Sequence, residues 1–328
     1  MQIARKVLVT GGAGYIGSVT TALLLAAGYR VTVLDDLSTG FRDAVPEGTE
    51  FVESSVHRAH EIIDSTFDAI LHFAACAEVS ESVLHPEKYW YNNTEGSRIL
   101  IDAARHAGIK TLIFSSTCAV YGEPDAVPIR EDTATRPINA YGASKLAVDH
   151  MLASEAKAHG LAAVSLRYFN VAGSYKQFGE RHNPESHLIP IALQVAQNHR
   201  DFVTINGNNF PTADGTCVRD YIHVADLAEA HLLALNAARP GSHLIFNLGH
   251  GVGFSVREVL ETARQVTGHP IPERIVQRRP GDPAQLIASA EHARRVLEWK
   301  PSRRDLTTMI EDAWSFARLT QSMTSPDR

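Results

Sequence analysis

The feature that most limits what this chain can become is a glycine cluster near its start. A short β-branched run, Lys6–Thr10 (KVLVT), leads into Gly11-Gly12-Ala13-Gly14-Tyr15-Ile16-Gly17, and an apolar, helix-like run over 16–27 follows, closed by Gly28. Glycines at 11, 14 and 17 let the chain turn tightly, let a pyrophosphate approach the backbone, and let the helix pack closely on the strand. The start of such a helix offers free N–H groups and the positive end of its dipole to phosphate. A glycine triplet alone is weak evidence. Set between a strand and a helix, it points to a bound dinucleotide.

The pattern repeats downstream. Strand-like runs at 30–34, 50–53, 69–73, 111–115 and 162–167 alternate with helix-like runs at 94–106 and 141–159, the latter closed by Gly160. Near-continuously apolar strands separated by helices imply a parallel sheet covered on both faces. Right-handed crossovers make it a doubly wound α/β (Rossmann) sheet whose ligand sits at the carboxyl ends of the strands. After about Val171 the pattern breaks. Residues 173–216 are rich in Asn, Pro, Gly and His and read as loops. Then come an amphipathic helix over 226–238, a strand over 244–248 and helices over 255–267 and 289–298, together a smaller mixed α/β substrate domain. The boundary is expected near 172, with 217–247 packing back against the first domain. The polar tail 321–328 is expected to fray.

Composition removes other classes. At 44% hydrophobic and 21% charged, with a formal charge of -6 over 328 residues, the chain is not a disordered one and carries no basic nucleic-acid footprint. Its apolar runs are too short and interrupted for a membrane span, and MQIARKVLVTGG holds too few apolar residues for a signal peptide. Cys76, Cys118 and Cys217 are widely spaced with no CxxC, which suits a reducing cytoplasm. The sixteen histidines form no HxH or HExxH pattern, so no metal is expected. His72 reads as a buried spacer, Cys118 as structural, and Leu227, Leu232, Leu233 and Leu235 as core. What remains is an intracellular protein acting on a small molecule.

Two constellations carry chemistry. Asp35 and Asp36 end the second strand about 20 residues beyond the glycines, where a carboxylate accepts ribose hydroxyls and repels a 2′-phosphate, favouring NAD over NADP. Tyr141 and Lys145 (YGASK) lie four apart on one helix face. A phenol of pKa about 10 is a poor base near neutrality. A lysine ammonium one turn away, with a positive nicotinamide, would favour the phenolate. Ser115-Ser116-Thr117 ends the preceding strand and can bring a hydroxyl to the same substrate oxygen.

With these motifs, HFAA (72–75), SSTCAVYG (115–122), LRYFNVAG (166–173) and PTADGTCVRDYIHVADL (211–227), the chain resembles the extended short-chain dehydrogenase/reductases, in particular their sugar-nucleotide 4-epimerases, over about 7–299. The resemblance implies that Tyr141 deprotonates a sugar 4-hydroxyl while C4 gives a hydride to tightly held NAD; the 4-keto sugar then turns and is reduced on its other face, interconverting UDP-galactose and UDP-glucose. It implies that Thr117 hydrogen-bonds the 4-oxygen and that Lys145 orients the cofactor ribose. Cofactor contacts carried over are Gly11, Gly14, Tyr15, Ile16, Gly17, Asp35, Asp36, Ser55, Val56, Phe73, Ala74, Ala75, Asn92, Tyr141, Lys145, Tyr168 and Phe169. Substrate contacts are Thr117, Tyr141, Asn170, His187, Leu188, Asn206, Arg219, Arg279 and Asp282. Residues 1–172 would hold NAD and 173–328 the UDP-sugar, and the resemblance suggests a homodimer through paired helices.

Several positions depart from the family's pattern. Ser54-Ser55-Val56 replaces an acid-bearing adenine contact, Ala77 a lysine near the diphosphate, and Asn206 a phenylalanine near the uracil. Leu286 aligns with a bulky tyrosine that gates the sugar pocket in some members, and a smaller gate would admit N-acetyl sugars. UDP-glucuronate and UDP-pentose epimerases share the catalytic trio and stay open as alternatives, as does an NAD-sensing regulator, although such binders are expected to lose the Tyr–Lys pair. A 4,6-dehydratase needs an acid after the threonine, and Cys118-Ala119 offers none.

Overall fold

Strand β1 (Lys6–Thr10) shows why this chain needs cover on two sides. Side chains alternate across a strand, and Val7 and Val9 on one face, and Leu8 and Thr10 on the other, are all fully buried. The computed structural model describes residues 5–279 and 282–324. After β1 come α1 (Tyr15–Ala26), β2 (Arg30–Asp35), β3 (Glu50–Glu53), α2 (Ala59–Ile62), β4 (Ala69–His72), α3 (Val79–Leu84) and α4 (Pro86–Tyr89). Then follow α5 (Gly96–His106), β5 (Thr111–Thr117), α6 (Ala140–His159), β6 (Ala162–Tyr168), β7 (Asn170–Ala172), β8 (Ser174–Tyr175) and β9 (Phe178–Gly179). The remainder holds α7 (Leu188–Ala196), β10 (Val203–Asn206), β11 (Val218–His223), α8 (Val224–Ala237), β12 (His243–Leu248), β13 (Gly253–Ser255) and α9 (Val256–Thr267). It ends with β14 (Glu273–Val276), β15 (Gln285–Leu286), α10 (Glu291–Val296) and α11 (Leu306–Thr324).

Seven parallel strands form the main sheet in the order β12-β6-β5-β4-β1-β2-β3. This is the doubly wound α/β sheet read from the sequence. Strand order reverses between β1 and β4, and open sheets of this kind bind ligands at that crevice. On one face Val7, Val9, Val33 and Leu71 pack with Leu24 of α1 and Leu227, Ala230 and Ala234 of α8. On the other, Leu8, Leu34, Ile70 and Leu112 pack with Leu100 and Ala104 of α5 and Val148 and Leu152 of α6. Truncating one of these aliphatic side chains to Ala costs about 2–5 kcal/mol.

A second set of elements lies beyond the carboxyl ends. Strand β11 pairs with β7, β13 and β15, and β10 pairs with β14. Ile189 and Leu193 of α7, Val259 and Leu260 of α9, and Met309 and Ile310 of α11 share a separate core with Val203 and Ile205 of β10.

Four expectations change. The loop-like 173–216 stretch contains β8, β9, α7 and β10, because its apolar residues fill that second core. The helix expected to be amphipathic, α8, is buried almost all round: one side lies on the sheet, while Val224 and Ala228 meet Val19 and Phe178 on the other. The helix expected over 94–106 starts earlier as a π-helical turn, Trp90–Glu95, running into α5. Helix α11 was not anticipated; it runs to Thr324, into the tail expected to fray, and residues 325–328 lie outside the described residues.

Candidate active site

The glycine loop shapes the floor of a cavity of about 880 Å³ at the switch point. Gly11 has φ +73°, and a Cβ there would meet Ala74 N at 2.5 Å, so the turns after β1 and β4 touch backbone to backbone. A Cβ on Gly17 would fall 2.1 Å from Gly11 O. The cradle that side chains would fill is thus kept open at the start of α1, and the residues fit the pyrophosphate of a dinucleotide.

Asp35, at the end of β2, is 8% exposed. Its Oδ2 accepts Ala13 N and its Oδ1 accepts Leu37 N, both at 2.9 Å, so it pins the glycine loop while facing the cavity. Burial pushes its pKa up, with the two N–H bonds pulling it partly back. Asp36 accepts Ser38 N at 3.0 Å and also lines the cavity.

Thr117, Tyr141 and Lys145 meet where β5 and α6 approach. Asn139 caps α6 by accepting Gly142 N at 2.8 Å, which sets Tyr141 and Lys145 on the helix's first turns. Thr117 closes β5, and its Oγ1 accepts Ala119 N at 3.1 Å. Lys145, 3% exposed, donates from Nζ to Ser115 O at 2.8 Å. All three side chains line the cavity. Burial pushes the Tyr141 hydroxyl up to about 12, with hydrogen bonding from Thr117 drawing it partly back, and pushes the Lys145 ammonium down to about 7. The sequence reading had the lysine lowering the tyrosine. Among the chain's own groups the one that lowers it is Thr117, by hydrogen bonding.

The π-helical turn presents Asn92 to the cavity, consistent with the frequent use of π-bulges at functional sites. Its neighbour Asn93, which sequence reasoning missed, is buried. It accepts Cys76 N at 2.8 Å and donates to Cys76 O and Ser144 Oγ, each at 3.0 Å, tying the turn after β4 to α6. His72 links Thr10 Oγ1 at 2.7 Å to Ser97 Oγ at 2.8 Å, and burial holds its pKa down at about 3, so it is a neutral spacer. The Cys118 thiol is pushed up to about 12 by burial, which leaves it inert.

Of the remaining expected contacts, Gly14, Tyr15, Ile16, Val56, Phe73, Ala74, Ala75, Tyr168, Phe169, Asn170, His187, Leu188, Arg219, Arg279 and Asp282 line the same cavity, as does Leu286. Arg219 pairs with Asp282 and donates from Nη1 to Val218 O at 2.8 Å. Ser55 and Asn206 are not among the lining residues. Ser55 caps a short turn by accepting His57 N at 3.3 Å, and Ser54 lines the cavity in its place. Asn206 ends β10 opposite Val276 of β14. Missed by sequence reasoning were Glu78 of the turn before α3 and the wall residues Glu180 and His182; for the latter two the only sequence signal is the clustering of Glu and His over 180–187.

Comparison with known proteins agrees with this geometry. Residues 7–249 match the NAD dependent epimerase/dehydratase family. The chain is 58% identical over 321 residues to the UDP-glucose 4-epimerase of Streptomyces lividans, covering 96% of each. It superposes on the crystal structure of UDP-glucose 4-epimerase from Brucella ovis in complex with NAD with a TM-score of 0.91 at 44% identity, covering 95% of this chain and 98% of that one. For the Bifidobacterium longum UDP-glucose 4-epimerase in complex with NAD+ and UDP, the TM-score is 0.91 at 33% identity, covering 96% and 99%.

Proposed function

The chain belongs to the NAD dependent epimerase/dehydratase family, and we propose that Thr117, Tyr141 and Lys145 carry out the proton chemistry of its reaction in the cavity at the switch point. The protein is an NAD-dependent isomerase that interconverts UDP-galactose and UDP-glucose. NAD, when bound, takes up a hydride from sugar C4 and returns it to the opposite face.

Everything else falls to side chains. Tyr141 accepts the proton of the 4-hydroxyl and returns it, so it needs its phenolate at the moment of oxidation and its phenol at the moment of reduction. Thr117 holds the 4-oxygen in both directions. Lys145, fixed on Ser115 O at 2.8 Å, has two further N–H donors for a ribose. Asp35 and Asp36 accept ribose hydroxyls, and the glycine loop faces the pyrophosphate. Tyr15, Ile16, Val56, Phe73, Ala74, Ala75, Asn92, Tyr168 and Phe169 complete the cofactor contacts. Arg219, Arg279, Asp282, Asn170, His187 and Leu188 receive the UDP-sugar; guanidinium forks match diphosphate oxygens. In this reading residues 1–172 serve the cofactor and 173–328 the sugar nucleotide, with 217–247 packed back against the first. Support for that packing comes from the β12–β6 pairing.

The observation that carries the reading is the convergence of Thr117, Tyr141 and Lys145 in one cavity with the glycine loop and Arg219. The test is incubation of the purified protein with UDP-galactose, followed by NMR of the anomeric protons. Growth of UDP-glucose to equilibrium is expected; an unchanged spectrum overturns the reading. A second arm with UDP-N-acetylgalactosamine tests a wider specificity, which Leu286 in the cavity wall favours over a bulky aromatic gate.

The protein acts as a homodimer in the cytoplasm. Supporting the compartment are three unpaired cysteines and, among the described residues, no helix long and apolar enough to cross a membrane. For the dimer, α5 and α6 lie side by side over one sheet face, available to pair with a second copy. Light scattering at the mass of one chain would overturn the dimer.

A further inference from the structure

The segment joining β9 to α7 brings two carboxylates and two imidazoles to one point. His187 Nδ1 lies 3.0 Å from Glu180 Oε1 and 3.1 Å from Glu185 Oε1. His182 Nδ1 lies 3.5 Å from Glu180 Oε1 and 3.8 Å from Glu185 Oε2. One donor atom from each of the four residues falls within 4.8 Å of every other. Donors held about 2.0–2.1 Å from a tetrahedral cation stand about 3.3–3.5 Å apart, so these separations match donors arranged around a single ion.

Two further observations separate this group from a solvated cluster. Glu185 is only 7% exposed. His182 Nδ1 is buried and has no hydrogen-bond partner, although it faces both carboxylates. A buried imidazole nitrogen left without a bond is costly in a folded protein unless something else meets it. The backbone around the group is also held from outside. Arg181 makes a two-pronged pair with Asp43 at 2.6 and 3.0 Å, Ser186 Oγ donates to Glu78, and Arg200 donates to Glu185 O at 3.1 Å. None of these contacts uses a donor atom of the four side chains; Glu185 Oε1 in addition accepts Ser186 N and His187 N, each at 2.9 Å, which orients the carboxylate and leaves Oε2 toward His182.

We propose that Glu180, His182, Glu185 and His187 form a divalent-cation site of the zinc type in the wall of the cavity, just before α7. Two imidazoles and two carboxylates suit Zn²⁺, and their two negative charges balance it. Glu180, His182 and His187 also line the cavity, so the ion rivets the wall that Leu188 continues into α7. With Nδ1 of His187 on the metal, Nε2 remains for the sugar nucleotide. A second group, His60, Asp102 and His106, offers three partly exposed donors and no buried orphan among them, and it serves as a control.

The test uses the full, untagged, NAD-loaded chain after dialysis against chelator. Titration with ZnCl₂, followed by calorimetry and metal analysis, is expected to give one equivalent bound with a Kd of about 1 µM or tighter, and a raised Tm. Co²⁺ is expected to give the intense visible bands of tetrahedral coordination. His182→Gln, at a partly exposed side chain, and Glu185→Gln are each expected to weaken binding at least ~10-fold, while His60→Ala leaves it unchanged. Circular dichroism and bound-NAD content report whether each variant is folded. Absence of Zn²⁺ uptake by the wild type, equal binding by folded His182→Gln, or loss of binding in His60→Ala would each overturn the site. None of these outcomes depends on the epimerase assay.

Discussion

Lys145 donates from Nζ to the carbonyl oxygen of Ser115 at 2.8 Å, tying the helix that carries the tyrosine to the strand that carries the threonine. The bond fixes where the lysine's remaining donors point, beside a Tyr141 hydroxyl that burial raises to about 12. The trio is therefore held in register by main-chain geometry before any ligand arrives.

Removing only the phenolic oxygen tests the base. Tyr141→Phe is expected to lower kcat about 10²–10⁴-fold while bound NAD and circular dichroism stay as in the wild type. Near-normal turnover of UDP-galactose would exclude Tyr141 from the proton transfer.

Lys145→Met keeps the stem and deletes the donors. Both kcat and NAD retention through gel filtration are expected to fall, because the ribose and the Ser115 carbonyl lose their partner. An unchanged absorbance ratio of the eluted protein would show that Lys145 does not hold the cofactor.

Gly17→Ala places a Cβ 2.1 Å from Gly11 O and 2.9 Å from Gly12 Cα, so backbone must move. Tm and NAD content should both drop. Gly28→Asn is the contrast: its φ of +85° is left-handed but nothing lies within 4 Å of a Cβ, so the cost stays within about 1 kcal/mol. Equal losses in the two variants would refute the steric argument.

Acid should destabilise the fold. Burial lowers His72 to about 3 and His231 and His250 to about 4. The unfolded chain, with histidines near 6.5, then binds more protons than the folded one, so stability is full above pH 6.5 and is lost as pH falls toward 4. Each histidine contributes a slope of up to ~1.4 kcal/mol per pH unit. Asp220 works the other way: raised to about 6 by burial, it adds stability below about 3.8 that is lost as pH rises through 6. Over pH 7 to 5 the three histidines outweigh Asp220 together with His182 and His187, which, against the pull of burial, the neighbouring carboxylates raise to about 10 and 9. Denaturant midpoints should fall from pH 7 to pH 5, less steeply in His72→Gln; a flat profile would contradict the neutral histidines.

Arg219→Ala removes a guanidinium from the cavity and leaves Asp282 without its partner. KM for the UDP-sugar is expected to rise about 10–150-fold, as for a lost charge-assisted bond of roughly 1.5–3 kcal/mol, with kcat changing less. A KM within twofold of the wild type would remove Arg219 from diphosphate binding.

Much of the main sheet and its first loop was legible because its signals are local. A strand, three glycines at fixed offsets and a helix are contiguous over 6–26, and Tyr141 and Lys145 are one turn apart. The sequence by itself therefore determined the doubly wound sheet, the glycine loop and the Tyr–Lys pair, since periodicity of 2 and of 3.6 and a need for φ > 0 act within a few residues. Helix α8 looked amphipathic because its second burial face depends on Phe178, about 46 residues upstream. Asn93 could not be singled out, since its worth lies in joining Cys76 to Ser144 across two elements. The same holds for the His and Glu of 180–187. Their spacing follows no ligand pattern along the chain, and only the turn into α7, clamped by the distant Asp43 and Glu78, folds four donors onto one point. Tertiary structure decided these features because each depends on distances between segments that no local propensity encodes.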